Sequence, residues 1–241
     1  MYGILISLGI WTSLAIAEKL AKTSKKPSTV IWDSALFLVI GGILGARVYH
    51  VIHYWNYYAL FPLKIIMVWS GGLGIIGGLL GGFIALVIYF RWKKVKLADW
   101  VDIAAVVVPL GQAIGRLGNY FNREVFGVPT NLPWGWHIPY GLRPSQFLKS
   151  ETFHPLFLYE AILNVLLFVG LYFGYLKLRT KLKKGTFVWI YLIGYSAIRF
   201  SLEFMRIEPW KIYGLNTAHI ISILVFLVAS FFLVLNYKEK L

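Results

Sequence analysis

Along the chain, apolar residues fall in long unbroken blocks. The blocks are Tyr2–Ala17, Val30–Tyr54, Gly71–Phe90, Val101–Ile114, Leu156–Leu176, Thr186–Phe204 and Asn216–Leu235. A helix that crosses hydrocarbon needs about 20 mostly apolar residues. Most blocks qualify, while Tyr2–Ala17 and Val101–Ile114 are short. The strands of a membrane barrel would alternate apolar and polar positions instead. The pattern therefore predicts an all-α integral membrane protein. It has about seven transmembrane helices in one polytopic domain, residues 1–241. The long polar-to-aromatic stretch 120–153 is expected to form a small loop region outside the membrane.

Composition supports that class. The chain is 59% hydrophobic and 14% charged, with mean hydropathy +0.69. A soluble domain is nearer about 45–50% apolar and about 25% charged. Cysteine is absent, which excludes a disulfide framework and a thiolate nucleophile of the protein's own. Net charge is +14, and the distribution of charge explains the excess. Fifteen of the 24 Lys and Arg lie in loops 18–29, 91–99 and 177–185 and in the C-terminal tail. These are alternate connections, so the positive-inside rule puts the N-terminus outside and the C-terminus in the cytoplasm. The same charges suit anionic lipid, and no nucleic-acid partner is expected. The first block ends in Ala15-Ile16-Ala17, but its charge follows the apolar core instead of preceding it. A retained helix is expected there, not a signal peptide.

Glycines recur every fourth residue at Gly74, Gly78 and Gly82, and again at Gly41/Gly45 and Gly170/Gly174. Such stripes let membrane helices approach closely. A phosphate-cradling loop is the weaker reading, because no Lys-Ser/Thr follows.

Some charges do not belong to topology. Arg47, Arg116 and Arg199 lie within or at the ends of apolar blocks, as do Asp33, Asp102, Glu160 and Glu203. An ionised side chain at the bilayer centre costs at least about 2.5–3.5 kcal/mol on insertion scales. Several together imply a polar interior. Arg116, Asn119 and Arg123 are spaced i, i+3, i+7, and Arg199, Glu203 and Arg206 are spaced i, i+4, i+7. On helices each set forms one face. Structural ion pairs would explain any single member. Two arginine-bearing faces point further, because the planar guanidinium grips phosphate bidentately. An anionic phospholipid headgroup fits two such forks. His50 and His53 lack a nearby carboxylate or Cys partner, so no metal is expected.

At these residues the chain resembles a known family. "GRLGNYFNREVFG" (Gly115–Gly127) is similar to the signature of the bacterial phosphatidylglycerol–prolipoprotein diacylglyceryl transferases. Tyr2-Gly3, "GARVYHV", "WSGGLGIIGGLLGG", "HPLFLYE" and "RFSLEFMR" resemble further family motifs in the same order. The resemblance implies a seven-helix enzyme of the bacterial inner (plasma) membrane. It would move the diacylglyceryl group of phosphatidylglycerol onto the lipobox cysteine thiol of a preprolipoprotein. A thioether would form and glycerol phosphate would leave. Arg116 and Arg199 would hold the phosphate, Asn119 would orient the headgroup, and Glu203 with Arg206 would support Arg199. Tyr2, Asn122, Glu124, Gly127 and His154 also match functional positions. Two departures stand out: Ile76 occupies a place where many members carry His, and Ala218-His219 stands where the family often has Gly-Gln. The rival reading is a transporter or channel for an anion. It would often show two related halves, and the sequence shows none.

The orientation is testable without background labelling, since no native cysteine competes. With His137→Cys, label is expected to enter from the extracytoplasmic side. Labelling from the cytoplasmic side alone would reverse the assignment.

Overall fold

The computed structural model describes residues 2–207 and 209–238, the side chain of Tyr2 excepted. Helices dominate it: α1 (Tyr2–Thr23), α2 (Thr29–His53), α3 (Trp55–Leu60), α4 (Ile75–Trp92), α5 (Val101–Asn122), α6 (Leu156–Leu178), α7 (Thr186–Glu203) and α8 (Thr217–Lys238). The strands are two-residue ladders: β1 (Trp136–His137) with β2 (Thr152–Phe153), and β3 (Lys211–Ile212) with β4 (Leu215–Asn216). Among the described residues six helices, α1, α2, α4, α5, α6 and α8, are long and apolar enough to cross a membrane. The chain is thus an all-α membrane protein. Helix α7 is long enough at 18 residues, but Arg199 and Glu203 lower its apolarity.

The short blocks of the sequence pattern turn out to be parts of longer helices. Helix α1 continues through Lys19 and Lys22 to Thr23, and α5 runs 22 residues to Asn122. Apolarity fades before the helix does, because the last turns of α5 carry Arg116 and Asn119. Pro109 lies inside α5. It removes one backbone donor, as proline does within any helix.

Contacts group the chain into two compact units, residues 21–100 and residues 1–20 with 101–241. In the first, α2 packs along α4 through glycine. A Cβ on Gly77 would collide with the Gly45 carbonyl oxygen, and one on Gly81 with that of Gly41. The close contact therefore runs through Gly77 and Gly81, one residue out of phase with the expected Gly74/Gly78/Gly82 stripe. Among the described residues a Cβ on Gly170 would meet nothing within 4 Å, and one on Gly174 only an ordinary contact with Phe187, so this pair does not mediate close packing. Arg47, 5% exposed, is consumed by this unit's own loop. Its guanidinium donates to the carbonyls of Ile65 (2.8 Å) and Gly71 (2.6 Å), and to those of Gly72 and Lys64. It also lies over the Tyr58 ring.

In the second unit, α5, α6 and α7 pack against one another and α8 packs on α7. Asp102, in the first turn of α5, is the cap of another helix. One carboxylate oxygen accepts from the Gly185 N–H (2.7 Å), and the other from Phe187 (2.9 Å) and Val188 (3.2 Å). A negative charge at the N-terminus of α7 also complements the helix dipole. The intramembrane acid is thereby explained, and it fixes α7 against α5.

Candidate functional site

Two buried carboxylates organise one end of the second unit. Glu160, in the first turns of α6, is 3% exposed, and so is Glu203 at the end of α7. Each holds an arginine. Arg116 Nε lies 2.8 Å from Glu160 Oε2, and Arg199 NH2 lies 2.7 Å from Glu203 Oε2. The arginine side chains remain 32% and 23% exposed. Arg206, more exposed, reaches Glu203 at 3.8 Å. The carboxylates thus sit behind, and the guanidinium forks face out. Three guanidiniums against two carboxylates leave one positive charge in this cluster.

Tyr195 joins the two arginines. It is within electrostatic reach of Arg116, Arg199 and Glu160. It precedes Arg199 by one helical turn, so α7 presents both to the same space. Asn216 fixes Glu203 from the other side. Its Nδ2 donates to Glu203 Oε1 (3.2 Å), while its Oδ1 accepts from the N–H groups of Ala218 (2.9 Å) and His219 (3.2 Å). One side chain therefore caps α8 and orients the carboxylate behind Arg199.

Where α5 ends, the signature residues shape a reversal. Glu124 Oε1 accepts from Asn119 Nδ2 (2.9 Å) and Asn122 Nδ2 (3.0 Å). Arg123 and Val125, on either side, are left-handed, with φ of 54° and 58°. That conformation is unfavourable for a β-branched residue, and the Asn–Glu clamp is what holds it. The chain then reaches Gly127. Its N–H donates to the His154 carbonyl (2.8 Å), and the next N–H, Val128, to the Met205 carbonyl (2.8 Å). An added Cβ at Gly127 would meet the Met205 carbonyl oxygen at 2.5 Å. Three segments cross here, and only a residue without a side chain fits.

The expected arginine faces are realised in part. Arg116, Arg199, Glu203 and Arg206 come together. Arg123 does not share the face of Arg116: its left-handed backbone ends the helix. Its guanidinium instead lies over Trp136 and Tyr120, and donates to the His137 carbonyl. Arg206 likewise lies past the end of α7 and is brought back by a backbone bridge to Gly127, not by helical phase. His154 Nδ1 faces the Tyr159 hydroxyl at 3.2 Å, and Trp134 donates to that hydroxyl at 2.8 Å. His219 lies against the Phe200 and Phe204 rings, with its Nε2 buried and without a protein partner. Tyr2 opens α1, and its side chain lies outside the described residues. Ile76, 53% exposed, is in the first turn of α4, in the other unit. Sequence reasoning passed over Tyr195 and Asn216. Spacing offered a signal for Tyr195, four residues before Arg199. Asn216 had none, because its role depends on a hairpin bringing it back to Glu203.

Fold and site define a class: a multi-helix membrane protein with two carboxylate-backed arginines at one end of a helical bundle. Comparison with known proteins makes this specific. The family model for prolipoprotein diacylglyceryl transferase matches residues 1–235. The phosphatidylglycerol–prolipoprotein diacylglyceryl transferase of Parasynechococcus marenigrum (strain WH8102) is 42% identical over 211 residues, covering 86% of this chain and 76% of its own. The protein of that name from Synechococcus elongatus is 40% identical over 225 residues, covering 92% and 78%. That from Prochlorococcus marinus subsp. pastoris is 39% identical over 267 residues, covering 99% and 90%. The chain belongs to the prolipoprotein diacylglyceryl transferase family.

The crossing at Gly127 yields a structural test. Gly127→Ala is expected to leave the helices inserted but unseat the 123–155 segment. Limited proteolysis would then cut within 123–155 faster than in wild type. Unchanged protection would mean that the crossing tolerates a Cβ.

Proposed function

We infer that this protein transfers the diacylglyceryl group of phosphatidylglycerol to a prolipoprotein, and that the acceptor is the lipobox cysteine thiol. The thiolate attacks the glycerol carbon that bears the phosphodiester. A carbon–sulfur bond forms and the carbon–oxygen bond to phosphorus breaks. The electron pair stays on the phosphate oxygen, so glycerol phosphate leaves with one more negative charge than the headgroup carried. The thioether remains on the lipoprotein. The attacking sulfur belongs to the substrate, which suits an enzyme without cysteine.

The observation that carries this reading is the pair of carboxylate-backed arginines flanking Tyr195. Charge develops on the leaving phosphate, and donors already aimed at that oxygen stabilise the transition state more than the ground state. Glu160 and Glu203 fix the forks in advance, so little reorganisation is needed. In this reading Arg116 and Arg199 grip the phosphate, with Arg206 at the mouth. Glu203 and Asn216 position Arg199. Asn119, Asn122, Glu124 and Gly127 act by holding the chain reversal that flanks the headgroup, while His154 and Tyr2 enter the site on the family resemblance. No metal or organic cofactor enters the reaction. The protein sits in the bacterial plasma membrane with its N-terminus outside. Loops 18–29, 91–99 and 177–185 are cytoplasmic, and α7 makes a seventh crossing beside the six apolar helices. The basic loops meet anionic lipid, and nucleic acid is not a partner.

Purified protein, labelled phosphatidylglycerol and a lipobox peptide test the reading, with a Cys→Ser peptide as control. Label is expected on the cysteine peptide alone. Arg116→Lys and Arg199→Lys are each expected to insert normally and lose about 10²–10³ in turnover, because lysine keeps the charge without the fork. Near-normal turnover in both would rule out phosphate clamping by these residues.

The pH dependence is a second check. An unperturbed thiol has a pKa of about 8.5, so a few per cent is thiolate at pH 7. The excess positive charge of the cluster favours the anion. With Ile76 in the place of a histidine, activity is expected to rise with pH and flatten as the substrate thiol ionises. No limb should appear near about 6.5, the range of histidine. A limb there that vanishes in His154→Gln or His219→Gln would identify that residue as a base.

A further inference from the structure

Beneath the arginines lies a second polar layer that the transfer reaction does not use. Asn164 is 0% exposed, and neither its Nδ2 nor its Oδ1 has a protein hydrogen-bond partner. Glu160 gives one oxygen to Arg116, while its Oε1 is buried and has none. Gln112 Oε1 is in the same condition, and the Gln112 side chain lies close to Tyr191.

Helix phase puts these groups at one depth. Gln112 precedes Arg116 by four residues on α5. Asn164 follows Glu160 by four on α6. Tyr191 precedes Tyr195 by four on α7. Of the upper members, Arg116 pairs with Glu160, and Tyr195 lies within electrostatic reach of both. Helix α6 runs antiparallel to α5 and α7, so a step back on α5 and α7 and a step forward on α6 all descend one turn, about 5.4 Å. Gln112, Asn164 and Tyr191 therefore form the layer below.

Buried polar atoms in proteins are hydrogen-bonded almost without exception, to protein or to ordered water. An unpaired buried amide is destabilising, because its lost hydration goes uncompensated. Asn164 alone presents two donors and an acceptor in a bundle interior. A bound water typically makes about three hydrogen bonds to such groups. We propose that the α5–α6–α7 bundle binds ordered water between Gln112, Asn164 and Glu160, and that Asn164 is a positioning residue that holds the Glu160 carboxylate through it. The free oxygen of Glu160 then has a partner. The carboxylate is fixed from below, and Arg116 is presented upward at a constant angle. The catalytic part of this proposal rests on the transferase reading, whereas the water site stands independently of it.

The test uses the full-length protein in nanodiscs. Hydroxyl radicals generated by X-ray radiolysis oxidise side chains beside bound water even when bulk solvent is excluded. Tyr191 is expected to be oxidised in wild type and protected in Asn164→Leu, which matches asparagine in size and expels the water. Asn164→Ser, which keeps a hydroxyl in the layer, is expected to restore oxidation. In the lipid-transfer assay, Asn164→Leu is expected to lower kcat about tenfold, the worth of one hydrogen bond to a charged group. Its KM for phosphatidylglycerol and its Tm are expected to stay unchanged, with Asn164→Ser recovering most of the rate. Absence of Tyr191 oxidation in wild type, or oxidation unaltered by Asn164→Leu, would sink the water site. Full activity in Asn164→Leu, or a Tm that falls with activity and is not rescued by serine, would remove the positioning role. A wild type that oxidises at Tyr191 but transfers no lipid would fault the transferase reading and leave the water site in force.

Discussion

A carboxylate buried in a membrane bundle has to be neutralised by a partner, and this constraint orders the functional half of the molecule. Glu160 and Glu203 are each 3% exposed. Ionised and unpaired, either would carry a desolvation penalty of several kcal/mol. The arginines supply the pairing charge, but they are not themselves buried. Each carboxylate is thus a fixed anchor with a cation projecting from it. Helix α6 provides one anchor from its first turns and α7 the other from its last residue. The relation between the arginines then follows from how α5, α6 and α7 pack. Asp102 contributes at the far end of the same helices by capping α7 from α5.

The connecting segments serve these anchors. Arg206 returns to Glu203 because its backbone bridges Gly127. Gly127 is in place because the Asn119–Glu124–Asn122 clamp turns the chain at the end of α5. Asn216 reaches Glu203 because the β3–β4 hairpin ends there. Short loops with little regular structure therefore set the arginine geometry, and small changes in them would be felt at the guanidiniums.

Helices, their arginines and the membrane class were legible in the sequence, since long apolar blocks and charges inside them are local signals. What was not legible depended on single backbone torsions and on helix phase. Arg123 has helical spacing from Arg116, but one left-handed residue takes it away. The glycine stripe was recognised, yet the closest contact with α2 runs through Gly77 and Gly81, one residue before Gly78 and Gly82. That contact is set by where Gly41 and Gly45 lie on the opposing helix. Asp102 read as a polar-cavity acid, whereas its partners are backbone N–H groups more than eighty residues away. Backbone donors leave no trace in side-chain patterns.

Arg47 shows why an intramembrane arginine is not enough to mark a site. It has the same chemistry as Arg116 and Arg199, and a similar place at the end of an apolar block. Its donors, however, end on backbone carbonyls of residues 64, 65, 71 and 72, and its face is covered by Tyr58. Carbonyls around a guanidinium saturate the fork and organise a loop. A single carboxylate behind a guanidinium occupies part of the fork and leaves the other edge free. The difference lies in the partner: carbonyl partners bury the cation as structure, and a buried carboxylate presents it for use. By that criterion Arg116 and Arg199 remain available to a phosphate, and Arg47 does not.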